Sequence, residues 1–395
     1  MLTSLSRIWS SLWAMNVVLC CDGTGNKLDV ATSNVVRLFS AARRDTPQEQ
    51  VVYYHPGIGT MPAKAALTSA SRWATKLAGS GAGYGLLDDV ADLYAYLMRT
   101  LREGDGIFIF GFSRGAFTAR VLAGLIHRCG VLKPEFASLI PYALDLYRPH
   151  EPLDDVVAKF VRLFSRPWRV HFLGLWDTVK AFGAIWPKSL PHLRFNPSVD
   201  IVRHAMALEE RRTMFAPTTW GGTDGDHRGT PAGFITPAMP PRSVEGGQDV
   251  KEVWFEGCHS DVGGGLPEKE GSLYKPSLEW MVREALDKGL LVDEEALHAL
   301  LSEPAGPARK VESLTGAWHL AEITWRLHLQ NQYPPAWRRR PTLGWWRGRK
   351  LADAHRSGGL TVHASVPDRL LADLTSKDDE LKFLPLREQT LPRRA

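Results

Sequence analysis

Ser113 stands in Gly111-Phe-Ser113-Arg114-Gly115, a G-x-S-x-G pentapeptide. A serine hydroxyl in that setting is a candidate nucleophile for acyl transfer. It becomes nucleophilic only with a base to take its proton and a third group to orient that base. Further along the chain stand residues of the right types: Asp177, in Trp176-Asp177-Thr178, and His259, in Gly257-Cys-His259-Ser-Asp261. The order serine, acid, histidine is that of α/β-hydrolases. Asp261 is the second choice for the acid. Two residues from His259 on one loop, it reads rather as a carboxylate that fixes the loop. A divalent cation is the competing chemistry, since Asp22, His55, His259 and Asp261 are all metal-ligating types. No H-x-x-x-H or paired-Asp spacing joins them.

The pentapeptide is weak by itself and takes its meaning from its flanks. Residues 107–110 are continuously apolar and read as a buried strand, and 116–126 read as an apolar helix. Ser113 therefore falls on a tight strand-to-helix turn. Gly111 and Gly115 are expected where a Cβ would collide with that turn. The helix start points free N–H groups at the charge developing on an attacked carbonyl. The Arg114 N–H is one expected donor and that of Gly23 or Thr24 the other, with Asp22 holding the second loop.

Other apolar runs at 17–21, 51–54, 169–175 and 252–255 read as strands, and Asp22, Asp177 and His259 each lie just past one. Open α/β sheets place their ligands at such strand ends. Helical periodicity runs over 34–42, 86–101, 277–288 and 294–301. The alternation implies an α/β-hydrolase-like fold, a mostly parallel central sheet flanked by helices. Residues 185–250, with Pro-rich and Gly-rich loops around one helix near 199–215, read as an inserted cap or access region. Gly79-Ser-Gly-Ala-Gly-Tyr-Gly85 has no strand before it and no Lys-Ser/Thr after it, which excludes a phosphate-binding loop.

Composition is that of a globular protein: 395 residues, 44% hydrophobic, 23% charged, net charge +5. That charge is too small to argue for nucleic acid, and no metal or cofactor is expected. Cys20, Cys21, Cys129 and Cys258 show no C-x-x-C spacing, which suits a reducing compartment. The catalytic domain is expected at 16–300. Before it, residues 1–15 form an amphipathic extension with Leu5, Ile8, Trp9, Leu12 and Trp13 on one stripe. That stretch is too short to span a bilayer and lacks a signal peptide's features, so cytoplasmic synthesis is expected, with Met15 as an alternative start. After the domain, 301–395 form a helical, basic extension. There Trp337, Arg338, Arg339, Arg340, Trp345 and Trp346 interleave aromatic and basic groups, as suits anionic lipid headgroups.

Five blocks taken together resemble one family. They are Cys21-Asp-Gly-Thr-Gly-Asn26, Tyr53-Tyr-His-Pro-Gly-Ile-Gly-Thr60, Phe110-Gly-Phe-Ser-Arg-Gly-Ala116, Phe172-Leu-Gly-Leu-Trp-Asp177 and Trp254-Phe-Glu-Gly-Cys-His-Ser-Asp-Val-Gly-Gly-Gly265. They are similar to the α/β-hydrolase domain of type VI secretion phospholipase effectors, long catalogued as a domain of unknown function. The resemblance implies Ser113 as nucleophile, Asp177 as acid, His259 as base and a glycerophospholipid acyl ester as substrate, and it is compatible with export by a type VI-like system. The rival readings are a metal-dependent phosphohydrolase and a non-catalytic membrane-binding module of the same fold.

Overall fold

The structure is a computed structural model that describes residues 14–23, 32–57, 82–148, 154–179, 190–212, 215, 217–221, 248–266, 271–302, 310–313, 360–377 and 382–385. Strand and helix alternate at the start: β1 (Asn16–Cys21), α1 (Asn34–Ala41), β2 (Gln50–His55), α2 (Ala82–Thr100), β3 (Gly106–Phe112) and α3 (Arg114–Cys129). A short strand β4 (Val131–Leu132), helices α4 (Ile140–Tyr147) and α5 (Asp154–Phe164), and β5 (Ser165–Arg166) lead to β6 (Val170–Trp176). Then come β7 (Val199–Ala207), β8 (Asp249–Phe255), α6 (His259–Gly263), α7 (Tyr274–Leu286) and α8 (Glu294–Ser302). The last elements are β9 (Leu360–Val362), α9 (Asp368–Lys377) and β10 (Phe383–Pro385).

Eight strands form one sheet in the order β10-β9-β8-β7-β6-β3-β1-β2. Every neighbouring pair in it is parallel, and the separate β4–β5 pair is antiparallel. This is the α/β-hydrolase-like architecture that the alternation implies. Side chains along a strand point to opposite faces in turn. Leu19, Ile107 and Ile109 accordingly pack on Val90, Leu93 and Leu122 of α2 and α3. Val18, Phe108, Phe110 and Phe172 pack on Leu38, Leu278 and Met281 of α1 and α7. With both faces covered, β1, β3 and β6 are buried along their whole length, which rigidly fixes the strand ends that carry the site.

Two expectations are corrected. Residues 199–207 are not part of a cap helix. They form β7, a central strand paired to β6 and β8, so a core strand runs through the 185–250 stretch. Nor is 301–395 wholly an appendage, since β9 and β10 extend the main sheet. There Met206, Trp254, Leu360, Val362 and Leu370 form a separate small core. The amphipathic stripe before Trp13, the glycine-rich loop before Ala82 and the Trp/Arg run at 337–346 lie outside the described residues. Among the described residues, no helix is long and apolar enough to cross a membrane.

Candidate active site

Ser113 links β3 to α3 with φ 57° and ψ −118°. That is left-handed backbone, which a residue with a Cβ adopts only under strain. The turn closes tightly because two neighbours are glycine. A Cβ on Gly111 would meet the Ala116 backbone at 2.7 Å, and one on Gly115 would meet the Asp22 carbonyl oxygen at 2.6 Å. The absence of side chains there lets the α3 start press against the end of β1. The Ser113 N–H donates to the Trp176 carbonyl at 3.1 Å, tying the turn to β6.

The three residues expected to act together do meet. Ser113 Oγ lies 2.8 Å from His259 Nε2, and His259 Nδ1 lies 2.6 Å from Asp177 Oδ2. Asp177 follows β6, is fully buried and has φ 41°. Its other oxygen, Oδ1, accepts the Ala207 N–H at 3.0 Å, and its own N–H donates to Ala205 O at 2.7 Å. His259 opens the short helix α6. Its ring sits between Phe112, with ring centroids 4.7 Å apart, and Phe215, at 4.8 Å edge-on. Burial pushes the imidazolium below its ordinary range, and the Arg212 charge adds to this; the hydrogen bond and charge of Asp177, with Glu210, oppose it.

The supporting residues divide. Asp22 accepts the Tyr54 hydroxyl at 2.9 Å and the Gly23 N–H at 2.7 Å. It therefore holds its loop as expected, but the Gly23 N–H is engaged by that carboxylate instead of being free towards Ser113. Thr24 lies outside the described residues. Asp261 accepts the Cys258 N–H at 2.9 Å, a contact within the histidine turn. Arg114 begins α3. Burial lowers its guanidinium to about 10, with the Asp89 charge opposing. Asp89 is raised to about 7 by burial and by the like charges of Asp92 and Asp88, against Arg114. His55 lies 3.9 Å from Asp89 of α2, and burial pushes its imidazolium below the ordinary range, against the Asp92 charge.

Among the described residues, no three His, Cys, Asp or Glu side chains gather as a metal-holding set. Asp22, His259 and Asp261 have the partners given above, and they do not converge with His55. All four cysteines are buried and free of disulfides.

One contributor was missed. Glu210 is fully buried, and its Oε2 accepts the backbone N–H of His259 at 3.2 Å. Arg212 donates to both of its oxygens, at 2.9 and 2.8 Å, and caps the Phe215 ring at 3.7 Å. Burial raises the Glu210 carboxyl, but the Arg212 bonds and charge outweigh it and hold it below the usual range. In Glu209-Glu210-Arg211-Arg212 the local pattern is that of a solvated charged surface, so no local signal marks Glu210 as buried.

Residues 15–284 match the family described as "T6SS, Phospholipase effector Tle1-like, catalytic domain". The chain belongs to the Tle1-like phospholipase effector family. The Tle1-like domain so defined holds β1 to β8 and each of Ser113, Asp177 and His259. An uncharacterized protein of Saccharomyces cerevisiae is 32% identical over 216 residues, covering 51% of this chain and 32% of that protein. A solved uncharacterized protein from Pseudomonas aeruginosa is 19% identical with a TM-score of 0.40, over 85% of this chain and 54% of that one. A solved Tle1 effector bound to the VgrG spike of the type VI secretion system is 17% identical with a TM-score of 0.35, over 66% of this chain and 53% of that one. The Tle1-like chain thus spans about a third of the yeast relative and about half of each solved protein.

Proposed function

We propose that this Tle1-like domain is a serine esterase that cleaves acyl esters of glycerophospholipids, in the manner of a phospholipase A. The observation that carries the reading is the unbroken hydrogen-bond chain from Ser113 Oγ through His259 to Asp177, at 2.8 and 2.6 Å. His259 Nε2 takes the Ser113 proton as Oγ attacks the ester carbonyl, while Asp177 stabilises the imidazolium. The Arg114 N–H and the positive end of α3 face the oxyanion. A second donor is assigned to the 22–24 loop. Collapse expels the lysolipid alkoxide, which takes the proton from His259, and leaves an acyl-Ser113 ester. Water, deprotonated by the same histidine, then releases the fatty acid.

The phospholipid part of the reading rests on family membership. Peripheral contact through Trp337, Arg338, Arg339, Arg340, Trp345 and Trp346 rests on composition alone. Delivery by a type VI-like apparatus after cytoplasmic synthesis rests on the family.

Purified protein and its Ser113→Ala variant, on mixed phospholipid vesicles with EDTA present, test the proposal. Fatty-acid release by the wild type alone, followed by mass spectrometry, is expected, and the lysolipid formed gives the position cleaved. Equal release by both proteins overturns the serine mechanism. Activity that returns only with a divalent cation moves the assignment to the metal-dependent reading.

A further inference from the structure

Behind Asp177 lies a second histidine–carboxylate pair that the mechanism above does not use. His204, on β7, is 0% exposed. Its Nε2 accepts the backbone N–H of Thr178, the residue after Asp177, at 3.1 Å. An accepting Nε2 leaves the ring proton on Nδ1, and Nδ1 faces Glu252 Oε1 on neighbouring β8 at 2.9 Å. The same Oε1 accepts the Trp220 N–H at 2.8 Å. Arg120 of α3 lies 3.4 Å from His204 Nδ1 and donates to the Leu193 and Thr218 carbonyls at 2.7 Å each. Thr178 and Glu252 hold the ring in one tautomer from two sides.

The turn it touches needs holding. Asp177 has φ 41°, left-handed backbone at a residue that carries a Cβ. Besides the His204 contact, β7 grips the turn through Ala205 O and the Ala207 N–H. Those two are backbone groups that any sequence in β7 would supply. The Thr178 N–H is met by a side chain, and only a side chain with an acceptor at that reach serves.

We propose that His204 is a positioning residue: its neutral ring, fixed by Glu252, holds the Asp177–Thr178 turn and so aims the Asp177 carboxylate at His259 Nδ1. The proposal rests on the esterase reading of Ser113, His259 and Asp177. A second proton on His204 would set Nε2–H against the Thr178 N–H, donor against donor, and release the turn. The groups facing the ring are Glu252 on β8, Arg120 on α3 and Asp177 after β6. Burial disfavours the cation most, the Glu252 hydrogen bond and charge oppose it, Arg120 adds to it and Asp177 opposes it. Two histidines must then stay neutral for turnover, His259 as base and His204 as support, and burial disfavours the charged form of both.

The test uses the full chain carrying His204→Leu or His204→Gln, beside wild type and Ser113→Ala, assayed for fatty-acid release across pH. His204→Leu removes the acceptor; kcat is expected to fall about 10²-fold with KM within about 2-fold. His204→Gln keeps an acceptor and does not titrate. It is expected to return kcat to within about 10-fold of wild type. Activity surviving in Ser113→Ala would sink the esterase reading itself. If Ser113→Ala is dead while His204→Leu turns over at the wild-type rate, the positioning role is wrong. Should His204→Leu fail to fold, His204→Ala, which removes the acceptor without filling the space, takes its place: a wild-type kcat refutes the proposal, and a fall in kcat at unchanged KM that His204→Gln reverses supports it.

Discussion

Replacing Asp177 with asparagine keeps the shape of the acid and removes its charge, and the surroundings dictate how the amide must sit. Oδ1 accepts the Ala207 N–H at 3.0 Å, and Oδ2 faces His259 Nδ1 at 2.6 Å. An amide NH₂ turned towards Ala207 would set donor against donor, so the asparagine oxygen stays there. Its NH₂ group then points at His259 Nδ1 and forces that nitrogen to accept. The ring proton moves to Nε2, which now donates to Ser113 Oγ and cannot take its proton. The expected fall in kcat is about 10⁴-fold, equivalent to about 5.4 kcal/mol of transition-state stabilisation. KM should be unchanged, because the acid is buried behind the histidine and touches no substrate. The assay is initial-rate fatty-acid release from phospholipid vesicles at neutral pH, with near-UV circular dichroism to show that the variant is folded. Residues acting as one unit do not add, so Asp177→Asn combined with Ser113→Ala should be no slower than Ser113→Ala alone. A folded Asp177→Asn protein within about 10-fold of wild-type kcat would refute the reasoning.

Glu210→Gln leaves the Arg212 guanidinium with a neutral partner in a buried setting, and urea unfolding at pH 7 should show a loss of about 3 kcal/mol. Because the Glu210 carboxyl is held below its usual range, that contribution is present above the ordinary carboxylate range and vanishes as pH falls through the folded value; a difference from wild type that persists at strongly acid pH contradicts the pairing. Gly115→Ala drives a Cβ to 2.6 Å from the Asp22 carbonyl oxygen, which should cost about 1–3 kcal/mol and slow fluorophosphonate labelling of Ser113; an unchanged melting curve and labelling rate would show that the turn is looser than its geometry indicates. His259 must be neutral to act as base and its charged form is disfavoured, so kcat/KM should hold as pH drops past about 6.5 and fall only below it. An acid-limb midpoint above that value would contradict the burial of the ring.

Much of the site is legible along the chain. The buried run ending at Phe110, the two glycines around Ser113 and the apolar helix after it announce the turn. Asp177 and His259 are visible because each follows a run that reads as a strand. An oxyanion donor was expected from Gly23 or Thr24, and the contact of the Gly23 N–H with the adjacent Asp22 carboxylate, at 2.7 Å, is one the sequence did not indicate. The metal reading drew on Asp22, His55, His259 and Asp261, whose types permit it. Among the described residues no three His, Cys, Asp or Glu side chains gather as a metal-holding set: Asp22 meets Tyr54 of β2, Asp261 the Cys258 N–H, and His259 the Asp177 carboxylate.

By itself the sequence determined the alternation of strand and helix, the strained turn of Ser113 and the three strand ends that converge on it, because those signals are local: apolar runs, period and glycine spacing. Only the tertiary structure decided β7. Val199, Val202 and Met206 recur at helical spacing, and Arg203 and His204 look like a solvated face. They are buried in a central strand because Arg203 pairs with Asp249 and Glu284, and His204 with Glu252. Those partners lie 46, 81 and 48 residues away. A charge can be buried only when an opposite charge meets it, and a partner that far along the chain leaves no trace in the local pattern. Glu210 and Arg212 escaped for the related reason that burial beneath His259 and Phe215 is made by packing from distant segments.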